Sequence, residues 1–352
     1  MYQRNIKTLC ILLILAVSPS LGALRIVLNP YEDLDWSKVE QHKANLHTHT
    51  VASGGKLLLK QVYAEYASKG YSILAITEHD RYTRGGNSGF DPLKEFGILP
   101  VAGKEYSEGR NLNGYFFDYA TKSRNMEVFI KGIENQGGVT VLNHPGRYLK
   151  CNEKPGASCD LINEYVRMMQ RHPSVLGIEV INTSNRNARE VSLWDDMLSI
   201  SMPERPVWGF ANDDMHDNKH IGLSWEVFLL DSLDDKMLRN AMSKGRFYFC
   251  QAEVNRDPIS KSYPPVIVSL RHDSAAKTIT ISAAADGRLL GVNQYRWVSK
   301  GRTVSIGPVL AYGSTDGIDD YVRAEMTGLG GTTYTNPFGF SRTDDDMVKA
   351  KR

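Results

Sequence analysis

Between residue 44 and about residue 231 the chain alternates short apolar runs with amphipathic stretches, and few architectures accept that rhythm. The strand-like runs are Ala44 to Leu46, Ile73 to Thr77, Ile98 to Ala102, Tyr115 to Tyr119, Val139 to Leu142, Gly177 to Ile181, Val207 to Ala211 and Trp225 to Leu230. Between them, Leu57 to Ser68, Met126 to Gln136, Leu161 to Arg171 and Arg189 to Ile200 repeat apolar residues three and four apart, the helical period. Parallel neighbours need a crossover between them, so strand, helix, strand repeats imply a largely parallel sheet in a barrel or layered α/β fold.

After the helix-like Asp234 to Lys244 the texture changes. Val266 to Leu270, Thr278 to Ala283 and Tyr295 to Val298 are short, β-rich and separated by Gly, Asp and Asn, with no helical period. The spacing predicts a barrel over 44–245 and a small antiparallel β domain, a β-sandwich, over 246–342. Residues 23–43 are expected as an N-terminal extension packing on the barrel, and 343–352 as a charged tail.

Residues 1–22 have the layout of an export signal: Arg4 and Lys7, then an apolar run from Leu9 to Val17, then small residues up to Gly22 and Ala23. That run is too short to span roughly 30 Å of hydrocarbon, so cleavage is expected to leave an exported, periplasmic or secreted protein without a stable membrane anchor. Cleavage would also remove two cations and no acid, taking the formal charge from +2 to zero. No electrostatic case for nucleic acid then remains. In an oxidising compartment, Cys151 and Cys159 are spaced for a local disulfide, with two free thiols the alternative, whereas Cys250 sits in an apolar run as a small hydrophobe.

Several of the nine histidines fall directly after a strand-like run, which is where barrel enzymes build their sites. Asn45-Leu46-His47-Thr48-His49 places two imidazoles two residues apart, able to face one side at the end of an extended strand. His79 follows a second run and is flanked by Glu78 and Asp80; Glu105 follows a third; His144 precedes Pro145 after another; Asp214 and His216 form Asp-x-His at a further one. Imidazoles and carboxylates gathered from five strand ends suit a divalent metal such as zinc, iron or manganese. Taken singly each has a structural use: His79 in a capped turn, His144 as a buried hydrogen-bonded ring, Asp214 as a helix N-cap. His42, His172, His220 and His272 lack the setting and are expected at the surface. Gly85 to Gly89 lacks a Walker or Rossmann spacing and suits a rim loop, and no Gly-x-Ser-x-Gly elbow supports a serine nucleophile.

Together, residues 45–50 (Asn-Leu-His-Thr-His-Thr), 75–80, 103–105, 143–145, 179–182 and 213–216 resemble the motifs of the polymerase and histidinol phosphatase (PHP) superfamily of metal-dependent phosphoesterases. The resemblance covers residues 44 to about 250. Within it, residues 244–248, 321–324 and 335–338 are similar to a branch with an appended β domain that includes carbamate-cleaving metallohydrolases. It implies a distorted (β/α)7 barrel with metals in a cleft at the carboxyl ends of the strands. It further implies a first metal on His47, His49, Glu105 and Asp214, a second bridged by Glu105 and shared with His144, and a third group using His79 and His216. Two positions depart from that pattern: Gly54 stands where relatives carry an Asp ligand, and Asn111 is the nearest equivalent of a His ligand.

The function expected is hydrolysis of a small-molecule phosphate ester by a water that one or two divalent ions bind and acidify. Asp214 would ligate and take the water's proton, Glu105 would bridge or orient, and His79 or His216 would protonate the leaving group. Arg147 and Asn182 are the candidate substrate contacts. Carbamate, amide or ester hydrolysis by the same activated water is the enzymatic alternative. A secreted binding protein with a degenerate metal site is the non-enzymatic one, suggested by Gly54 and Asn111.

Overall fold

A computed structural model of the chain describes residues 23–83, 89–118, 123–149, 160–183, 188–253 and 262–342. Residues 1–22, with the pattern expected of an export signal, most of the Gly85 to Gly89 loop, Cys151, Cys159 and residues 343–352 lie outside the described residues.

The strands are β1 (Leu24–Leu28), β2 (Glu40–Asn45), β3 (Ile73–Ile76), β4 (Leu99–Tyr106), β5 (Leu112–Tyr115), β6 (Val139–Leu142), β7 (Val175–Asn182), β8 (Trp208–Asn212), β9 (Ser224–Leu230) and β10 (Phe247–Ala252). The helices among them are α1 (Leu59–Ser68), α2 (Pro92–Phe96), α3 (Met126–Glu134), α4 (Asp160–Arg171), α5 (Ala188–Ser201) and α6 (Asp235–Lys244). Local chemistry sets their limits. Asn125 caps α3 by accepting from the amides of Glu127 and Val128, and Asp234 caps α6 through the amide of Met237. Gly245 ends α6 at φ 67°, where a Cβ would meet the Trp208 ring at 2.7 Å. The buried faces of α3 (Phe129, Ile130, Ile133) and α4 (Ile162, Tyr165, Val166, Met169) follow the expected three-and-four spacing. Strands covered on both sides read as continuous apolar runs, and all eight residues of β7 are buried.

β2–β3–β4 and β6–β7–β8 are parallel runs joined by β5, which is antiparallel to both neighbours. The run expected at Tyr115 to Tyr119 is therefore displaced: β5 ends at Tyr115, and the chain turns at Phe116 with φ 58°. The ends of the series approach each other, since Thr48, just past β2, pairs in parallel with Met215, just past β8. This brings the carboxyl ends of the parallel strands to one place.

Nine more strands follow: β11 (Val266–Asp273), β12 (Thr278–Ala285), β13 (Arg288–Leu289), β14 (Tyr295–Ser299), β15 (Arg302–Ile306), β16 (Val309–Ala311), β17 (Tyr321–Gly328), β18 (Gly331–Thr335) and β19 (Phe338–Arg342). All their pairings are antiparallel. The result is a mixed α/β fold with one large sheet and a β-rich C-terminal part. β10 pairs with β9 on one side and β18 on the other, so the large sheet runs from one part into the other, and β1 pairs with β19. Buried Arg323 of β17 grips Asp195 of α5 through Nε (2.9 Å) and Nη2 (2.7 Å), with its third nitrogen on Glu325 (2.7 Å) and Trp194 beneath the guanidinium.

Candidate metal centre

The two histidines after β2 are fully buried. Asn45 shapes their turn by accepting from the His47 amide and the Thr48 hydroxyl, both at 3.2 Å, and the His49 amide bonds to the Met215 carbonyl at 2.9 Å. His79 sits just past β3 and bridges to Glu105 near the end of β4. His144 follows β6 at φ 32° and Asp214 follows β8 at φ 45°, conformations uncommon for residues with side chains. Such strain persists only where surrounding contacts enforce it, and it concentrates at functional sites.

Hydrogen bonds fix which nitrogen of each ring faces the centre. His47 Nδ1 lies 2.7 Å from Glu179 Oε1 and donates to it. The Ser53 hydroxyl is donated to Glu78, so it accepts at 3.2 Å from His49 Nδ1. Both Nε2 atoms therefore turn inward, 3.1 Å apart. Asp214 Oδ1 is 3.3 Å from each, and Glu105 lies 3.4 Å from each through its two oxygens. A cation about 2.1 Å from four tetrahedral ligand atoms holds those atoms about 3.4 Å apart. His47, His49 and Glu105 form a group able to hold one, and Asp214 Oδ1 approaches the same two histidine nitrogens.

The charge balance agrees. Glu105, Glu179 and Asp214 converge on His47, and among the described residues no Lys or Arg pairs with any of them. Burial alone would lower the His47 pKa, but the three carboxylates carry it well above its ordinary value. Burial would raise Glu105 and Asp214, yet the histidines hold both well below the usual carboxylate range. Burial lowers His49. Such a pocket calls for positive charge at its middle, which a proton on His47 Nε2 or a metal ion displacing it can supply.

The other expected ligands divide into two groups. His79 and His216 stack against His49, with ring centroids 4.4 and 4.3 Å away, and the three offer nitrogens within 4.8 Å of one another at the mouth of the cleft. Gly54 lies against this group: its φ is +108°, and a Cβ there would sit 3.6 Å from His216 Cδ2. On the other side, His144 Nε2 is 3.7 Å from Glu105 Oε1. That oxygen accepts from the amides of Asn111 (3.0 Å) and Asn143 (2.9 Å), while Tyr148 donates to Asn111 Oδ1 at 2.8 Å. Amide hydrogens thus point at the oxygen expected to bridge to a second ion. Among the described residues, Glu105 Oε2 is buried without a well-directed hydrogen bond, although His79 Nδ1 approaches to 2.7 Å, and His144 Nδ1 is buried without a partner.

Of the two candidate substrate contacts, Arg147 is exposed in the turn after His144. Asn182 is buried and its amide donates to Glu179 (3.0 Å) and Asp214 (3.4 Å), so it orients carboxylates. His172, expected at the surface, is largely buried between Glu127 and Glu134 of α3, because the end of α4 packs there. The residues that motif reading left without roles are Ser53, Glu78 and above all Glu179. A signal for Glu179 does exist: it is the lone acid inside the apolar run Gly177 to Ile181.

No family model and no curated protein matches the chain. Among solved structures it is similar to a two-domain protein from Bacteroides vulgatus described as containing a predicted PHP-like metal-dependent phosphoesterase, at 14% identity and TM-score 0.49 over 89% of this chain and 98% of that one. It is also similar to an amidohydrolase from Chromobacterium violaceum with bound sulfate and no metal, at 17% identity and TM-score 0.37 over 49% and 87%. A lesion-specific endonuclease from Pyrococcus furiosus gives 14% identity and TM-score 0.40 over 58% and 56%.

Proposed function

We propose that the chain is a metal-dependent hydrolase of the PHP type, built on a distorted (β/α)7 barrel and cleaving a small-molecule phosphate ester. The observation that carries this reading is the pair His47 Nε2 and His49 Nε2, 3.1 Å apart, with Asp214 Oδ1 and the Glu105 carboxylate each 3.3 to 3.4 Å from both and, among the described residues, no Lys or Arg paired with either acid. A divalent ion held there would supply Lewis acidity, acidifying water and polarising a phosphoryl oxygen. Asp214 would be the residue to take a proton from attacking water, with its second oxygen accepting from Asn182 at 3.4 Å. His79 and His216, partly exposed at the mouth, would donate a proton to a departing alkoxide. Arg147, exposed on the turn after His144, supports recognition of an anionic substrate.

Export to the periplasm or beyond is part of the proposal, supported by the pattern of residues 1–22. Purified protein assayed for divalent metal and for turnover of aryl phosphate, phosphodiester and carbamate substrates tests the reading. Metal with aryl phosphate turnover is expected. Turnover of the carbamate alone would move the assignment to carbonyl chemistry, and metal without any turnover would favour a binding protein.

A further inference from the structure

We propose that Glu179 is the positioning residue of this centre: one buried carboxylate in mid-strand β7 fixes the ring orientation of His47 and the backbone of His144 together. The inference rests on the reading of His47 as a metal ligand. Glu179 is fully buried, and both oxygens are in use. Oε1 accepts from His47 Nδ1 at 2.7 Å and Asn212 Nδ2 at 3.1 Å; Oε2 accepts from the His144 amide at 3.0 Å and Asn182 Nδ2 at 3.0 Å. The direction of these bonds is set elsewhere. Asn212 Oδ1 accepts from the Leu46 amide at 2.6 Å and Asn182 Oδ1 from the Thr183 hydroxyl at 3.0 Å, so each Asn turns its NH2 toward Glu179.

Four donors surround the group, and only an ionised carboxylate accepts from all four. His47 must then carry its proton on Nδ1 toward Glu179, which leaves Nε2 for the centre. The opposite oxygen holds the peptide nitrogen of His144, a residue in a strained conformation that needs such a hold. Replacing the acid by an amide breaks this logic without changing shape. A glutamine presents one oxygen and one NH2, and whichever way it turns, the NH2 meets two donors. Facing His47, it would require an unprotonated Nδ1, and the proton would then sit on Nε2, where a ligand needs its lone pair.

The test is zinc titration of metal-free full-length protein, by competition with a chromophoric chelator, for wild type, Glu179→Gln and His47→Ala, with ring nitrogen-15 spectra of labelled histidine. Glu179→Gln should keep its circular dichroism and bind zinc about 10- to 100-fold more weakly. His47 in the wild type should show a protonated Nδ1, lost or shifted in the variant, a change that a merely structural role would not produce. Zinc affinity within threefold of wild type, or an unprotonated Nδ1 in the wild type, would overturn the inference. The wild-type spectrum decides the matter even if the variant does not fold. Should His47→Ala bind zinc as tightly as wild type, the ligand reading fails instead, which separates the two claims.

Discussion

At the scale of single residues, the gathering of these histidines and carboxylates was legible because each lies at or after the end of a strand, while the atoms that orient them were not. Nothing in Asn45-Leu46-His47-Thr48-His49 says which ring nitrogen faces inward; that depends on Glu179, more than 130 residues away, and on Ser53. Asn182 shows the converse, since a side chain expected to touch substrate is engaged by two carboxylates. Asp214→Ala should remove most bound metal and nearly all activity, by elemental analysis and initial rates. His220→Ala should leave both within about twofold, because it deletes one 3.3 Å acceptor for the His216 amide. Equal effects of the two would refute the ligand assignment. Gly54→Asp should raise metal content by placing an oxygen near His216, at a cost of about 1 kcal/mol for a side chain at positive φ. A folded variant with unchanged metal content would disconnect Gly54 from the group at the mouth.

Elements with a regular period were the most legible, and those defined by distant partners the least. α3 through α6 and β6 fall where periodicity puts them, whereas the strands β17 to β19 take their form from pairing across the sheet. The clamp between α3 and α4 is of the second kind. Burial would lower the His172 pKa, but Glu127 and Glu134 raise it above its ordinary value. Glu127 is lowered first by His172 and then by Arg171. A folded pKa above the unfolded one stabilises fully below about pH 6.5 and fades as pH rises through the folded value. His172→Gln should therefore destabilise near pH 6 by roughly 1 kcal/mol at most and have less effect near pH 9, read from thermal unfolding. A difference constant across that range would remove the clamp.

For the whole molecule, the change of texture near residue 246 is plain in the sequence, but the continuity of the sheet is not, because β10 joins strands far apart in the chain. Arg323 ties the two parts through a buried ion pair, and breaking such a pair leaves an uncompensated charge worth roughly 3 to 5 kcal/mol. A chain ending at residue 245 would lose β10 against β9 as well as Arg323 against Asp195, and is expected to fail to fold by circular dichroism. A cooperative unfolding transition from that fragment would show that the α/β part stands alone. The central claim is a cation held by His47, His49, Glu105 and Asp214, and the most direct measurement is the metal content of full-length protein and of His47→Ala by inductively coupled plasma mass spectrometry. The account predicts at least one divalent ion per wild-type chain, with most of it lost in a folded His47→Ala variant; equal metal in both proteins, or none in the wild type after purification with zinc and manganese supplied, would contradict it.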